Sequence, residues 1–202
     1  MLKGNTDIAV FQTTSEAAHA AANAVAGEIR RSLAKNGHAS AIFDGFSLPV
    51  AFFDSLIQMP DIDWTQVIVF QAGEYLGEDR QASSSAQRFL TDHLVLRVPI
   101  VSFHPMRGDA ANPRAAAANY SARLTASPPD FALLGFDFLS VEGPPVEQDH
   151  KVGVIIVGGR RAAALTPAAI GGFPKLFALG QGPAPLAARR HSNSEIFVAV
   201  NP

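Results

Sequence analysis

The chain has no cysteine, which excludes disulfides, thiolate nucleophiles and thiolate metal sites and fits a reducing compartment. It has no apolar run approaching the roughly 20 residues that cross a bilayer. Residues Met1 to Thr6 carry no charged-then-apolar leader. These absences together predict a cytoplasmic protein with no membrane partner. Charge of one sign is also lacking. Sixteen Lys+Arg stand against 18 Asp+Glu, a net charge of −2, too even a balance to draw in nucleic acid or an anionic surface. The six histidines are scattered singly, without the spacing of a zinc helix, so no metal site is expected. No G-x-G-x-x-G follows the first apolar run, and Gly158-Gly159-Arg160 is too short to replace it. A nucleotide-binding domain is therefore the least supported class, and no cofactor is expected.

What is present is apolar: 48% of 202 residues are hydrophobic, ample for one sizeable core and one domain spanning 1–202. Short apolar runs alternate with amphipathic stretches. Ile8 to Phe11 precedes Ser15 to Asn36, and Ala39 to Phe43 precedes Leu48 to Gln58. In the first long stretch Ala18, Ala22, Val25, Ile29 and Leu33 recur at helical spacing between a Thr14 or Ser15 cap and Gly37. Further strands are predicted at 67–70, 98–103, 131–136, 152–157, 176–179 and 195–200, with helices at 84–94 and 113–126. This alternation predicts an α/β fold with a mostly parallel sheet and helices on both faces.

In such sheets, ligands bind beyond the carboxyl ends of the strands. Two places there carry polar or small residues. One is Phe43-Asp44-Gly45-Phe46-Ser47-Leu48-Pro49. The other follows Val67 to Phe70, where the run breaks into Gly73-Glu74-Tyr75. His104, with Arg107 and Asp109, lies just past another strand and is a third candidate, for acid/base or anion chemistry.

The segment Trp64 to Gly77 resembles the "W..V.VF..DEY.G" stretch of glucosamine-6-phosphate deaminases and their relatives the 6-phosphogluconolactonases. Asp130 to Asp137 resembles that family's "D..LLG.G.DGH", Ala164 to Ile170 its "LT.PAI", and Asp44 to Pro49 its phosphate loop "SGGSTP". The resemblance implies a Rossmann-like three-layer sandwich and a small phosphorylated sugar as ligand. It places phosphate on Asp44, Gly45, Phe46 and Ser47, with Arg160, Arg161, Arg189 or Arg190 a candidate replacement cation, and puts Gly73 and Tyr75 in the pocket. Phe46 and Phe138 stand where the family keeps small residues, and three functional positions depart from the pattern as well. Gly73 stands where the family's proton-moving aspartate belongs, Leu139 where its histidine belongs, and Pro183 where its phosphate-binding lysine belongs.

Two readings follow. In the first, Glu74, His104, Asp137 and Glu142 form a reorganised catalytic set for isomerisation, deamination or lactone hydrolysis. In the second, the chain is a binding or regulatory homologue without turnover. Blander roles are open for individual residues: Asp44 as a helix cap, Glu74 as a solvated or arginine-paired carboxylate, and His104 as a loop histidine. Phe52, Phe53 and the proline-rich tail are candidate contacts of a homo-oligomer, with core packing the alternative for the two phenylalanines.

Overall fold

A computed structural model describes residues 5–77, 79–140, 151–157 and 159–201. A seven-stranded sheet runs through it. Its strands are β1 (Asn5–Thr13), β2 (Ala39–Phe43), β3 (Val67–Gln71), β5 (Ser102–His104), β6 (Phe131–Gly135), β9 (Leu176–Gln181) and β10 (Asn193–Asn201). Their order is β1-β10-β9-β6-β2-β3-β5, and every neighbouring pair is parallel.

The strands alternate faces, which is why both faces need cover. On one face Ala39, Ala41, Phe43, Val67, Val69, Phe131 and Leu133 pack under α1 (Thr14–Asn36) and α2 (Val50–Leu56). On the other, Ile42, Phe70, Ala132 and Leu134 pack with α4 (Pro113–Ala126). α5 (Phe136–Leu139), α6 (Pro167–Gly171) and α7 (Leu186–Arg190) share that side. The result is the expected three-layer α/β sandwich. Phe52 and Phe53 are fully buried in the first core, so core packing, not an oligomer contact, accounts for them.

Local chemistry explains the boundaries. α1 is capped by Thr13, one residue before the expected cap. A reciprocal box forms: Glu16 N donates to Thr13 Oγ1 at 3.2 Å and Thr13 N donates to Glu16 Oε2 at 3.0 Å. It ends at Gly37, whose φ of 75° is left-handed. The predicted helix at 84–94 is a short α3 (Ala86–Leu90) continued by a π turn at Thr91–Val95.

Two strands escaped the sequence reading. β4 (Gly73–Tyr75) and β8 (Arg160–Leu165) join β7 (Val152–Val157) in a small antiparallel sheet, β4-β8-β7. It lies over the second core. Residues 152–157 therefore belong to this sheet and not to the parallel one. Among the described residues, no helix is long and apolar enough to cross a membrane.

Candidate active-site margin

The chain runs from β2 outward to β3 and β5 in one direction, and from β6 to β9 and β10 in the other. The carboxyl ends of β2 and β6 are thus the switch point, where open α/β sheets leave their crevice. Here that crevice is stitched shut. Asp44, at the end of β2, is fully buried. Its Oδ1 accepts from Phe46 N at 2.7 Å, and its Oδ2 accepts from Ser47 Oγ at 2.6 Å and from Gly135 N, at the end of β6, at 3.2 Å. Burial pushes the Asp44 carboxyl above its usual range, against the lowering effect of those donors.

Asp44 is therefore not a helix cap. α2 starts only at Val50, with Pro49 before it and no side-chain cap. Phe46 N and Ser47 Oγ, two of the donors expected to cradle a phosphate, instead serve this internal carboxylate. Gly45 is small for another reason: a Cβ there would lie 2.5 Å from Ala86 O, at the start of α3.

Gly73 lies one step farther along the margin. A Cβ on it would sit 2.9 Å from Ala164 Cβ, 2.9 Å from Phe46 Cε2 and 3.2 Å from Phe138 Cε2. The Phe46 ring packs on Tyr75 at 4.4 Å between centroids and stacks on Phe138 at 6.1 Å. The Arg160 guanidinium covers the Tyr75 ring at 4.0 Å. Each replacement thus makes room for another. Loss of a side chain at 73 admits the two rings that positions 46 and 138 have gained, and Leu139 is buried beside them.

Glu74 points away from this cluster and is 3% exposed. Its Oε1 accepts from Tyr75 N at 2.9 Å and Ala86 N at 3.1 Å. Its Oε2 accepts from Gln87 N at 2.8 Å, Ser85 Oγ at 2.9 Å and Gln71 Nε2 at 3.1 Å. Gly108 closes over it, with room for no Cβ against Glu74 Cγ at 2.8 Å. This carboxylate anchors the start of α3, so its assignment as a base is corrected: both oxygens are committed and no substrate atom can reach them.

The other candidates are dispersed. His104 ends the edge strand β5. Its ring packs 4.8 Å from Phe70, with Nδ1 3.4 Å from Arg123 Nη1 and Nε2 3.4 Å from Ser102 Oγ. Burial, then the Arg123 charge, hold it below the usual histidine range. Three strand spacings separate the ends of β5 and β6, about 14 Å at ~4.8 Å each, so His104 and Asp137 cannot attend one sugar carbon.

Arg161 pairs with Ile156, one residue before the Ala162 that faces Tyr75. Alternation puts Arg160 on the Tyr75 face and Arg161 on the other, away from the Phe46-Ser47 loop, which corrects its phosphate-binding assignment. Arg189 and Arg190 precede β10, and the Arg189 carbonyl accepts from Thr6 Oγ1 at 3.5 Å beside the start of β1. They sit at the opposite margin of the sheet. Glu142 lies outside the described residues.

Ser47 and exposed Asp137 do come together. They line a pocket of about 220 Å³ with Thr14, Phe136, Gly180 and Gln181. Thr14 and Gln181 were missed in the sequence, although Gln181 directly follows the apolar run of β9 at the same margin and was legible by the rule that pointed to Glu74. Among the described residues no group of three or more His, Asp or Glu could hold a metal ion.

Comparison with known proteins bears on the family and the fold. A 6-phosphogluconolactonase from Pseudomonas aeruginosa is 31% identical over 113 residues, 56% of this chain and 42% of that protein. A glucosamine-6-phosphate deaminase from Lactococcus lactis is 28% identical over 107 residues, 53% of this chain and 45% of that protein. The matches thus span less than half the length of these curated relatives. Among solved structures, a 6-phosphogluconolactonase from Shewanella baltica has a TM-score of 0.81 at 19% identity, covering 99% of this chain and 100% of that one. A monomeric glucosamine-6-phosphate deaminase reaches the same TM-score at 15% identity over 96% and 97%. At such identities the structures establish the fold alone. Residues 12–137, more than half of the chain, match the family described as glucosamine-6-phosphate isomerases/6-phosphogluconolactonase, and it is to this family that the chain belongs.

Proposed function

We propose that this chain is a catalytically silent member of its family, kept as a sugar-binding or regulatory module. The observation that carries this reading is the packing of Phe46 and Phe138 into the volume above Gly73. Proton transfer between neighbouring sugar carbons needs a carboxylate within hydrogen-bond reach of the substrate. At that point the chain offers two aromatic rings. Among the described residues the remaining candidate acids and imidazole do not converge: Glu74 is consumed by α3, and His104 is on the far side of β2 and β3 from Asp137.

The reading is tested by turnover. The chain is incubated with 6-phosphogluconolactone, following loss of the lactone, and with glucosamine 6-phosphate, following ammonia release. Both rates are expected to equal those without protein. Acceleration of either by 100-fold or more contradicts catalytic silence.

A further inference from the structure

The pocket between Ser47 and Gln181 is the part of the margin that the aromatic cluster leaves open. Its volume of about 220 Å³ equals roughly seven waters of bulk liquid, enough for one monosaccharide ring. It is a composed site rather than a surface dent. Gln181 Nε2 donates to Thr14 Oγ1 at 2.7 Å, tying the end of β9 to the start of α1. Phe136 forms the apolar wall, its ring lying directly over Gly180, where any Cβ would collide with it. The polar lining is two hydroxyls, one amide and one carboxylate, from Thr14, Ser47, Gln181 and Asp137.

The charge of this site is the reverse of what a phosphate ester requires. Among the described residues none that lines it is cationic, and the Asp137 carboxylate stands exposed at its rim. Behind it the Asp44 carboxylate already takes the Ser47 hydroxyl and the Phe46 N–H. A phosphate dianion entering here would meet the Asp137 carboxylate with no cationic side chain among the described lining residues to offset it. A hydroxyl-rich ring meets partners of the right kind: its hydroxyls donate to the Asp137 carboxylate and to the Ser47 and Thr14 oxygens, whose own protons are given to Asp44 and to the Asn201 carbonyl, and accept from the second N–H of the Gln181 amide, while the C–H face lies on Phe136. An ammonium group adds attraction to Asp137.

We propose that this pocket binds an unphosphorylated sugar and prefers an amino sugar to its neutral counterpart. The inference rests on the binding-module reading above and names its ligand class.

The test is titration of the full chain, by calorimetry and by amide chemical shifts, with glucosamine, glucose, glucosamine 6-phosphate and inorganic phosphate. Glucosamine is expected to shift the Gly180 and Gln181 amides and to bind at least tenfold more tightly than glucosamine 6-phosphate. Asp137→Asn, at an exposed position, is expected to abolish the preference for glucosamine over glucose. Equal or tighter binding of glucosamine 6-phosphate or phosphate overturns the proposal, and so does the absence of shifts with either free sugar. Turnover of glucosamine 6-phosphate would instead overturn catalytic silence, so the two failures are told apart.

Discussion

Gly73→Asp, which returns the family's carboxylate to its place, is expected to destabilise the fold by about 4 kcal/mol and to restore no turnover. The Cβ alone comes within 2.9 Å of Ala164 Cβ and Phe46 Cε2, inside normal contact distance. The carboxylate beyond it would enter a space walled by Phe46 and Phe138. An ionised group there has lost its water without gaining a partner, which is among the few mechanisms that cost a fold several kcal/mol. The single tryptophan, Trp64, is buried and reports unfolding in urea. In a chain of this size, each kcal/mol moves the thermal midpoint by about 2–4 °C, so a drop on the order of 10 °C is expected. A variant with an unchanged midpoint would mean that position 73 opens onto space.

The second large effect concerns Glu74. If it were a base, Glu74→Gln would lower turnover and leave the fold intact. The geometry predicts the opposite: about 3 kcal/mol of lost stability. Every partner of the side chain is a donor. Whichever oxygen becomes the amide nitrogen, it faces at least two of them: Tyr75 N and Ala86 N on one side, or Gln87 N, Ser85 Oγ and Gln71 Nε2 on the other. The penalty is concentrated at the start of α3, so the Ala86 and Gln87 amides should lose protection against hydrogen exchange before the rest of the sheet does. A Glu74→Gln protein with wild-type stability and exchange would refute this anchoring role.

The sandwich was legible in the sequence because burial on both faces of a parallel sheet produces short continuous apolar runs, and α1 repeats its apolar residues at helical spacing. β4 and β8 were not legible. Gly73–Tyr75 is three residues long, and Arg160–Leu165 is built on three alanines, so neither has the β-branched signature by which strands are read. They exist because they pair with each other and with β7, a long-range fact.

The site divides in the same way. That Gly73, Phe46 and Leu139 depart from the family pattern can be read residue by residue. That Phe46 and Phe138 fill the volume vacated at Gly73 cannot, since it depends on the loop after β2, on β4 and on α5 meeting at one margin. Glu74 marks the limit of the rule that drew attention to it. Position beyond a strand end says that a side chain is near the crevice, but not whether it faces the crevice or the helix behind it. Asp44 follows the same logic, its carboxylate turned inward to Gly135.

The most direct test of the filled crevice is a double-mutant cycle between Gly73→Asp and Phe46→Ser, each variant unfolded in urea. If the Phe46 ring occupies the space the aspartate would need, removing the ring relieves the clash. The cost of Gly73→Asp should then fall by at least about 1 kcal/mol in the Phe46→Ser background. Costs that simply add would mean that the two positions do not share one volume, and the account of a crevice closed by its own side chains would be contradicted.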